Sequence, residues 1–420
     1  MVDDRLTIER RVSVWWAVGA FAFLLRLAAA LASGRLRHPE LYEYDEMARA
    51  FLDGRGFTIH HIGVVYYSYA APLYSWLSAT AYGLTGSIVP VMLLQIAAGA
   101  AVAVAAAAIA TRLFGGWIAG AAAGLLAACH PGLVLYSATK AHPLVFDALF
   151  FTLALLQLFR LAGRPTLWRA VELGAIVGVG TLSRATLIIF LPIGAVWLLA
   201  VTPRAGWPTV VRNMIVAGLL TAASLAPWTI RNILLHHQFV FVLTTDGEDF
   251  WRGNNPYAMG HSYIDTEHTV LEALPAAERA DLKAQPGELG QSRWFMSRAK
   301  AFIYSNPSAF VRLTWLKFFH FWWYAPQTGG LYAKAWFTLY MAYYLGAVLL
   351  AAIGTWAVVQ RGGMPARQVV LIGTFLLALS GLQSLYYVEG RHRWAVEPML
   401  LAISGGGLAT LLERRGRAWT

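Results

Sequence analysis

The sequence is 420 residues long, with 58% hydrophobic and 13% charged residues, which excludes a soluble globular domain, where about a quarter of residues are charged. Its net charge of +11 does not point to nucleic acid, because the arginines stand in short groups between apolar runs, the pattern that membrane topology imposes on cytoplasmic loops. The single cysteine, Cys129, excludes an intrachain disulfide and argues against a cysteine-rich metal site.

At about 20 residues per spanning helix the chain has room for roughly ten spans and two sizeable loops. The first apolar run, 12–32, follows Arg5, Arg10 and Arg11, so its amino end is expected in the cytoplasm. Arg26 inside it is expected to snorkel to the outer interface or to face a ligand. Residues 33–87 form a first external loop with Glu43, Asp45 and Glu46, a short helix over 46–52, the aromatic stretch Tyr66, Tyr67, Tyr69 and Tyr74, and an interfacial segment 76–82. Runs 90–109, 117–135 and 144–159 alternate across the bilayer. The run 170–201 is bounded on both sides by basic loops, so it is expected to be a tight pair of short spans turning at Ser183-Arg184.

Residues 214–226 exit at Pro227-Trp228-Thr229-Ile230-Arg231-Asn232, and 229–330 form a second external loop with helices over 276–283 and 291–304. The aromatic segment 310–323, with Arg312, Lys317 and His320 at roughly helical spacing, suits a helix lying on the membrane surface. Counting it as interfacial keeps Arg361, Arg367, Arg414, Arg415 and Arg417 on the cytoplasmic side. Runs 331–359, 369–386 and 395–412 complete about ten spans. Residues 1–420 thus read as one all-α polytopic membrane unit with two helical external loops.

In that topology the polar groups that packing does not explain collect on the external face: Asp45, Glu46, Lys140, His142, Asp147, Arg184, Arg231, the segment 246–255, Arg391 and Arg393. A transporter would place such groups near the midplane, on broken helices of paired repeats, and no repeat is visible. Cleaving a glycosyl phosphate builds positive charge on the sugar and negative charge on the departing phosphate. An inverting displacement therefore wants a carboxylate base for the acceptor hydroxyl and fixed cations for the phosphate. Asp45 supplies the first, with Glu46 beside it; Arg391, Arg393, Arg231 and Lys140 are candidates for the second. Asp45 also has a plainer role at a helix N-terminus, worth roughly 0.3–1 kcal/mol, and Glu43 reads as a solvated neighbour. His142 and Asp147 are candidate ligands of a divalent Mg, Mn or Zn ion, or a structural histidine and an ion-paired acid. Gly253-Asn254-Asn255-Pro256 reads first as a turn.

Taken together, Asp45-Glu46 after the first span, Pro72-Leu73-Tyr74 after the aromatics, Pro227 to Asn232, Trp251-Arg252-Gly253-Asn254-Asn255-Pro256-Tyr257-Ala258-Met259-Gly260, and Glu389-Gly390-Arg391-His392-Arg393 ahead of Glu397-Pro398 resemble the GT-C membrane glycosyltransferases. The likeness is to the glycosyltransferase family 39 type, with the bacterial relatives of protein O-mannosyltransferases and the lipid A aminoarabinose transferases, and it covers nearly the whole chain. It implies a GT-C fold in the inner (cytoplasmic) membrane with its active site on the periplasmic face. It also implies a polyprenyl-phosphate-linked sugar donor, a glycan, lipid or protein acceptor, and Asp45 as the first-loop acid. Tyr69, Asn254, Asn255 and Arg184 are then candidate substrate contacts. The aminoarabinose transferases carry a Lys-Pro pair where this chain has Ala70-Ala71-Pro72, so their donor specificity does not carry over. A lipid-linked sugar flippase and an enzyme with a pyrophosphate-linked donor are the competing readings.

Overall fold

The computed structural model describes residues 2–325, 330 and 332–418, and the side chains of residues 13–325, 330, 332–414. Leu331, the expected start of one span, and the side chains of Arg5, Arg10, Arg11, Arg415 and Arg417 lie outside the described residues. Among the described residues the regular structure is helical apart from one hairpin. Helix α1 (Val2–Ala32) leads into α2 (Glu43–Leu52), strands β1 (Ile59–His61) and β2 (Val64–Tyr66), and α3 (Leu73–Thr85). Strands β1 and β2 pair antiparallel with His61 opposite Val64. Their two-residue turn, Ile62-Gly63, has φ of 49° and 82°, the twist that a tight hairpin requires.

The bundle continues with α4 (Val89–Phe114), α5 (Trp117–Ala128), α6 (Pro131–Thr139), α7 (Leu144–Gly163), α8 (Leu167–Thr181), α9 (Phe190–Val201) and α10 (Trp207–His236). The second loop carries α11 (Asp246–Arg252), α12 (Ala276–Lys283), α13 (Gly287–Ser305) and α14 (Pro307–Trp322), followed by α15 (Lys334–Arg361), α16 (Gly363–Ser384), the short α17 (Gly390–Trp394) and α18 (Glu397–Ala418). Among the described residues six helices are long and apolar enough to cross a membrane, and the α5–α6 pair, bent by 51°, makes a seventh. The shorter α8 and α9, which turn at Ser183-Arg184 as expected, and α18 complete the bundle.

Three features depart from the sequence reading. Arg26 does not snorkel: it is fully buried and donates to the carbonyls of Ala128 at 3.0 Å and Ala127 at 3.2 Å. Those carbonyls belong to the end of α5, where the break before Pro131 removes their helical partners, so the guanidinium caps a broken helix. Gly99 makes room for it, since a Cβ there would stand 2.4 Å from Arg26 Nε. Second, α10 does not end at Pro227 but runs through it to His236, so the Pro227 to Asn232 block is helical. From that helix Trp228, Thr229 and Asn232 donate to the carbonyls of Val242, Phe241 and Val240. They thereby fix the segment that follows. Third, the short helix of the first loop begins at Glu43, three residues before the expected start.

Candidate active site

Helix α2 starts with Glu43, Asp45 and Glu46 in its first turn. Residues two apart on a helix point about 200° apart, so Glu43 and Asp45 face opposite ways. Asp45 turns toward α3, where it accepts from Arg49 Nε at 2.7 Å and from the Tyr82 hydroxyl. Glu43 turns toward a cavity of about 440 Å³ at one end of the bundle, and Asp45 is not on its wall. Glu46 accepts from the backbone N–H of His60 at 3.2 Å, a link to the hairpin.

One part of the cavity wall is cationic. Arg184 and Arg391 line it together with His142 and His392. Arg184 is held by Asp147 at 3.2 Å, whose other oxygen accepts from Ser183 at 2.6 Å; Arg391 is held by Glu389 at 2.8 Å. Burial, and then the neighbouring Arg391 and Arg184, pushes His142 well below the ordinary imidazole value, and the same groups do so for His392. Both rings are therefore neutral near pH 7. Each Nδ1 accepts a backbone N–H, from Leu144 at 3.1 Å and from Glu389 at 3.3 Å, so each neutral ring carries its proton on Nε2.

The lining is also acidic in part, with Glu43 joined by Asp246, Glu248 and Asp249 of α11. Burial opposes the charge on Glu248, but Arg252 at 2.5 Å and His61 at 2.8 Å hold it down to about 2. Burial, countered by Arg252 but reinforced by Glu248, Asp246 and Glu43, pushes Asp249 up to about 7. Its carboxyl is thus neutral below that pH. Its native-state value lies above the ordinary carboxylate range, so the stability it contributes is complete below about pH 4 and lost as pH rises through 7. Asp249→Asn is expected to melt higher than the wild type at pH 8 and to converge with it near pH 4; an equal gap at both pH values contradicts this assignment.

Residues 69–230 match the family described as dolichyl-phosphate-mannose-protein mannosyltransferase. No curated protein matches the chain. Among solved structures, the archaeal oligosaccharyltransferase AglB from Archaeoglobus fulgidus, in complex with an inhibitory peptide and a dolichol-phosphate, aligns with a TM-score of 0.57 and 13% identity, over 97% of this chain and 51% of that one. The oligosaccharyltransferase of Archaeoglobus fulgidus in the apo form gives 0.59 and 12% over the same shares, 97% and 51%. The fold is that of this oligosaccharyltransferase. The chain spans about half the length, 51%, of the oligosaccharyltransferase it matches. ArnT from Cupriavidus metallidurans, bound to undecaprenyl phosphate, aligns at 15% identity over 92% of this chain and 77% of its own, with a TM-score of 0.45.

On this scaffold several residues singled out from the sequence stand away from the cavity. Arg393 is 2% exposed; it bonds Glu397 at 2.5 Å and the carbonyls of Phe321 and Trp323, each at 2.7 Å, and lies 3.8 Å over the Tyr344 ring. It is a buried tie between helices and presents no donor to a phosphate. The reason is again angular: Arg391 and Arg393 are two residues apart on α17, so only one faces the cavity. Arg231 donates to Tyr67 O at 2.8 Å and Ser68 Oγ at 2.9 Å and stacks on Trp228. Lys140 pairs with Glu40 at 2.7 Å and donates to the Tyr42 hydroxyl at 2.9 Å, which pins the chain ahead of α2. Asn254 and Asn255 are buried and donate to backbone carbonyls, including Leu385 O and Trp251 O, each at 2.7 Å; they shape the turn. Tyr69, Arg184, Arg391, His142 and Asp147 do line the cavity.

His142 and Asp147 do not fit a divalent metal. The Nδ1 of His142 is occupied, both oxygens of Asp147 are bonded, and among the described residues no three His, Cys, Asp or Glu side chains come together as a metal site. Sequence reasoning misses Glu43, His392 and the proton-holding Asp249. The polarity of the segment 246–255 marks it in the sequence, but nothing there tells its cavity residues from its turn residues.

Proposed function

We propose that the chain is an inverting glycosyltransferase that moves a sugar from a polyprenyl monophosphate to a hydroxyl acceptor at the periplasmic end of the bundle, with Glu43 rather than Asp45 as the base. The observation that carries this reading is the shared cavity in which Glu43 stands among Arg391, Arg184 and two neutral imidazoles. Glu43 takes the proton of the acceptor hydroxyl as its oxygen attacks the anomeric carbon. The bond from that carbon to the phosphate oxygen breaks with inversion, and the phosphate leaves with the electron pair. Arg391 and Arg184 hold the developing charge, and the Nε2–H groups of His142 and His392 donate to it without adding a competing cation. The matched family's description and the dolichol-phosphate bound to the archaeal oligosaccharyltransferase support a polyprenyl phosphate donor. The excess of arginine in the loops at the opposite end of the bundle supports a periplasmic site.

The test is reconstitution of the purified protein in liposomes with polyprenyl-phosphate sugars, followed by mass spectrometry of the released carrier. Release of polyprenyl monophosphate supports the reading, turnover only when a polyprenyl-pyrophosphate sugar is supplied in its place assigns another donor, and translocation of intact donor contradicts transfer.

A further inference from the structure

Helix α14 is apolar on two faces. Val311, Trp315 and Phe319 stand exposed along one, and Leu313, Lys317 and Phe321, also four residues apart, are buried along the other, so a lysine takes an inward position in an apolar row. We propose that Lys317 is a positioning residue for the donor phosphate: it fixes the segment 253–262, and through that segment it holds Arg391 on the cavity wall. The inference rests on the reading of the Glu43 cavity as the site of sugar transfer.

Lys317 is wholly buried, and its Nζ donates to Gly253 O and to Asn254 Oδ1, each at 3.0 Å. Among the described residues it forms no ion pair. Two neutral acceptors do not offset what an ammonium loses on leaving water, and burial pushes the Lys317 amine down to about 7. With the folded value below the unfolded one, that cost is complete below about pH 7 and fades as pH rises toward the ordinary lysine value. His320, on the same face, is pushed down to about 4 by burial and then by His261, so it adds no charge at neutrality. A methionine would fill the place of the lysine without the cost. The amine is a poor stabiliser, and what it holds leads to the active site.

Asn254 passes the constraint on, since its Nδ2 donates to Leu385 O at 2.7 Å. Gly253 lies so close to the next residue of that strand of chain that a Cβ there would collide with Tyr386 O. At the far end of the segment Gly260 O accepts from Val388 N at 3.0 Å, and Ser262 Oγ donates to Glu389 at 2.8 Å. The other oxygen of Glu389 holds Arg391, also at 2.8 Å. These bonds tie 253–262 to 385–389, which runs directly into Arg391 and His392 on the cavity wall. Helix α14 is itself anchored at its end, where Phe321 O accepts from Arg393 and Trp322 O from the Tyr344 hydroxyl, each at 2.7 Å. Lys317 is where this fixed helix grips the segment.

The experiment uses the purified full chain in lipid nanodiscs and reads polyprenyl monophosphate binding, amide hydrogen exchange and Tm. Lys317→Met is expected to weaken polyprenyl monophosphate about tenfold and to speed exchange over residues 385–392, while the amides of α2 exchange as in the wild type. Its Tm is expected near that of the wild type, because the cost removed with the amine offsets the two bonds lost. Ser262→Ala, which cuts the relay at Glu389, is expected to weaken the same binding by a smaller factor. In an Arg391→Ala background Lys317→Met is expected to cause no further loss, since a residue that acts through Arg391 then has nothing to act on. Wild-type affinity in Lys317→Met, an equal loss with and without Arg391, or a much lower Tm with faster exchange across the whole chain overturns the proposal. Failure of polyprenyl monophosphate to bind the wild type overturns the reading of the Glu43 cavity, while the exchange arm, which needs no donor, still tests whether Lys317 holds 385–392.

Discussion

Glu43→Gln is expected to lower the proposed sugar transfer by about 10²- to 10⁴-fold, the range that removal of a positioned general base produces, and to leave the folded protein and its affinity for the lipid donor near wild type. The size of the loss follows from how the neighbouring acids are engaged. Asp147 is bonded to Arg184 and Ser183, and Glu248 to Arg252 and His61, so neither has a free basic lone pair comparable to that of Glu43. Asp249, pushed up to about 7, is half ionised at neutrality and is the one neighbour whose basicity suits part of the proton transfer, so the loss in Glu43→Gln is expected toward the lower end of that range if Asp249 reaches the acceptor. The substitution keeps the side-chain shape and removes only the charge. The rate of polyprenyl monophosphate release, measured beside a melting curve, checks it; a Gln variant that turns over within a few-fold of wild type removes Glu43 from the chemistry.

Arg391 and Arg393 separate into a ligand and a strut, with opposite consequences. Arg393→Ala leaves Glu397 buried with His130 and Tyr340 as its remaining partners and orphans two carbonyls. Breaking a buried pair from one side costs about 3–5 kcal/mol, so the variant is expected to show low folded yield and a lowered Tm. Arg391→Ala removes a group on the cavity wall. It is expected to fold normally and to bind polyprenyl monophosphate about 10- to 100-fold more weakly, the equivalent of charge-assisted hydrogen bonds worth about 1.5–3 kcal/mol. A Tm in Arg393→Ala equal to wild type, or unaltered lipid phosphate binding in Arg391→Ala, contradicts the division.

That division shows where the sequence is informative and where it stops. The apolar runs and their basic borders specify the bundle, including the tight pair at Ser183-Arg184, because both signals are local in the chain. The acid-rich start of α2 is legible as a site for the same reason. Which acid faces the cavity is not, since it depends on where the helix begins: a start at Glu43 places Asp45 against Arg49 of the same helix and Tyr82 of α3. Arg26 is legible as a charge in an apolar helix, but its partners are carbonyls more than 100 residues away. They become available only because α5 breaks. Pro227 suggests a helix end, and the packing of α8 along α10 carries the helix through it.

The central claim, that the acid facing the cavity and not its neighbour on α2 performs the chemistry, is tested most directly by measuring polyprenyl monophosphate release by Glu43→Gln and Asp45→Asn in one liposome assay. The account predicts that Asp45→Asn keeps most of its turnover, with a lower Tm from the loss of the Arg49 pair, while Glu43→Gln loses nearly all of it. Full turnover in Glu43→Gln together with an inactive, well-folded Asp45→Asn would contradict it.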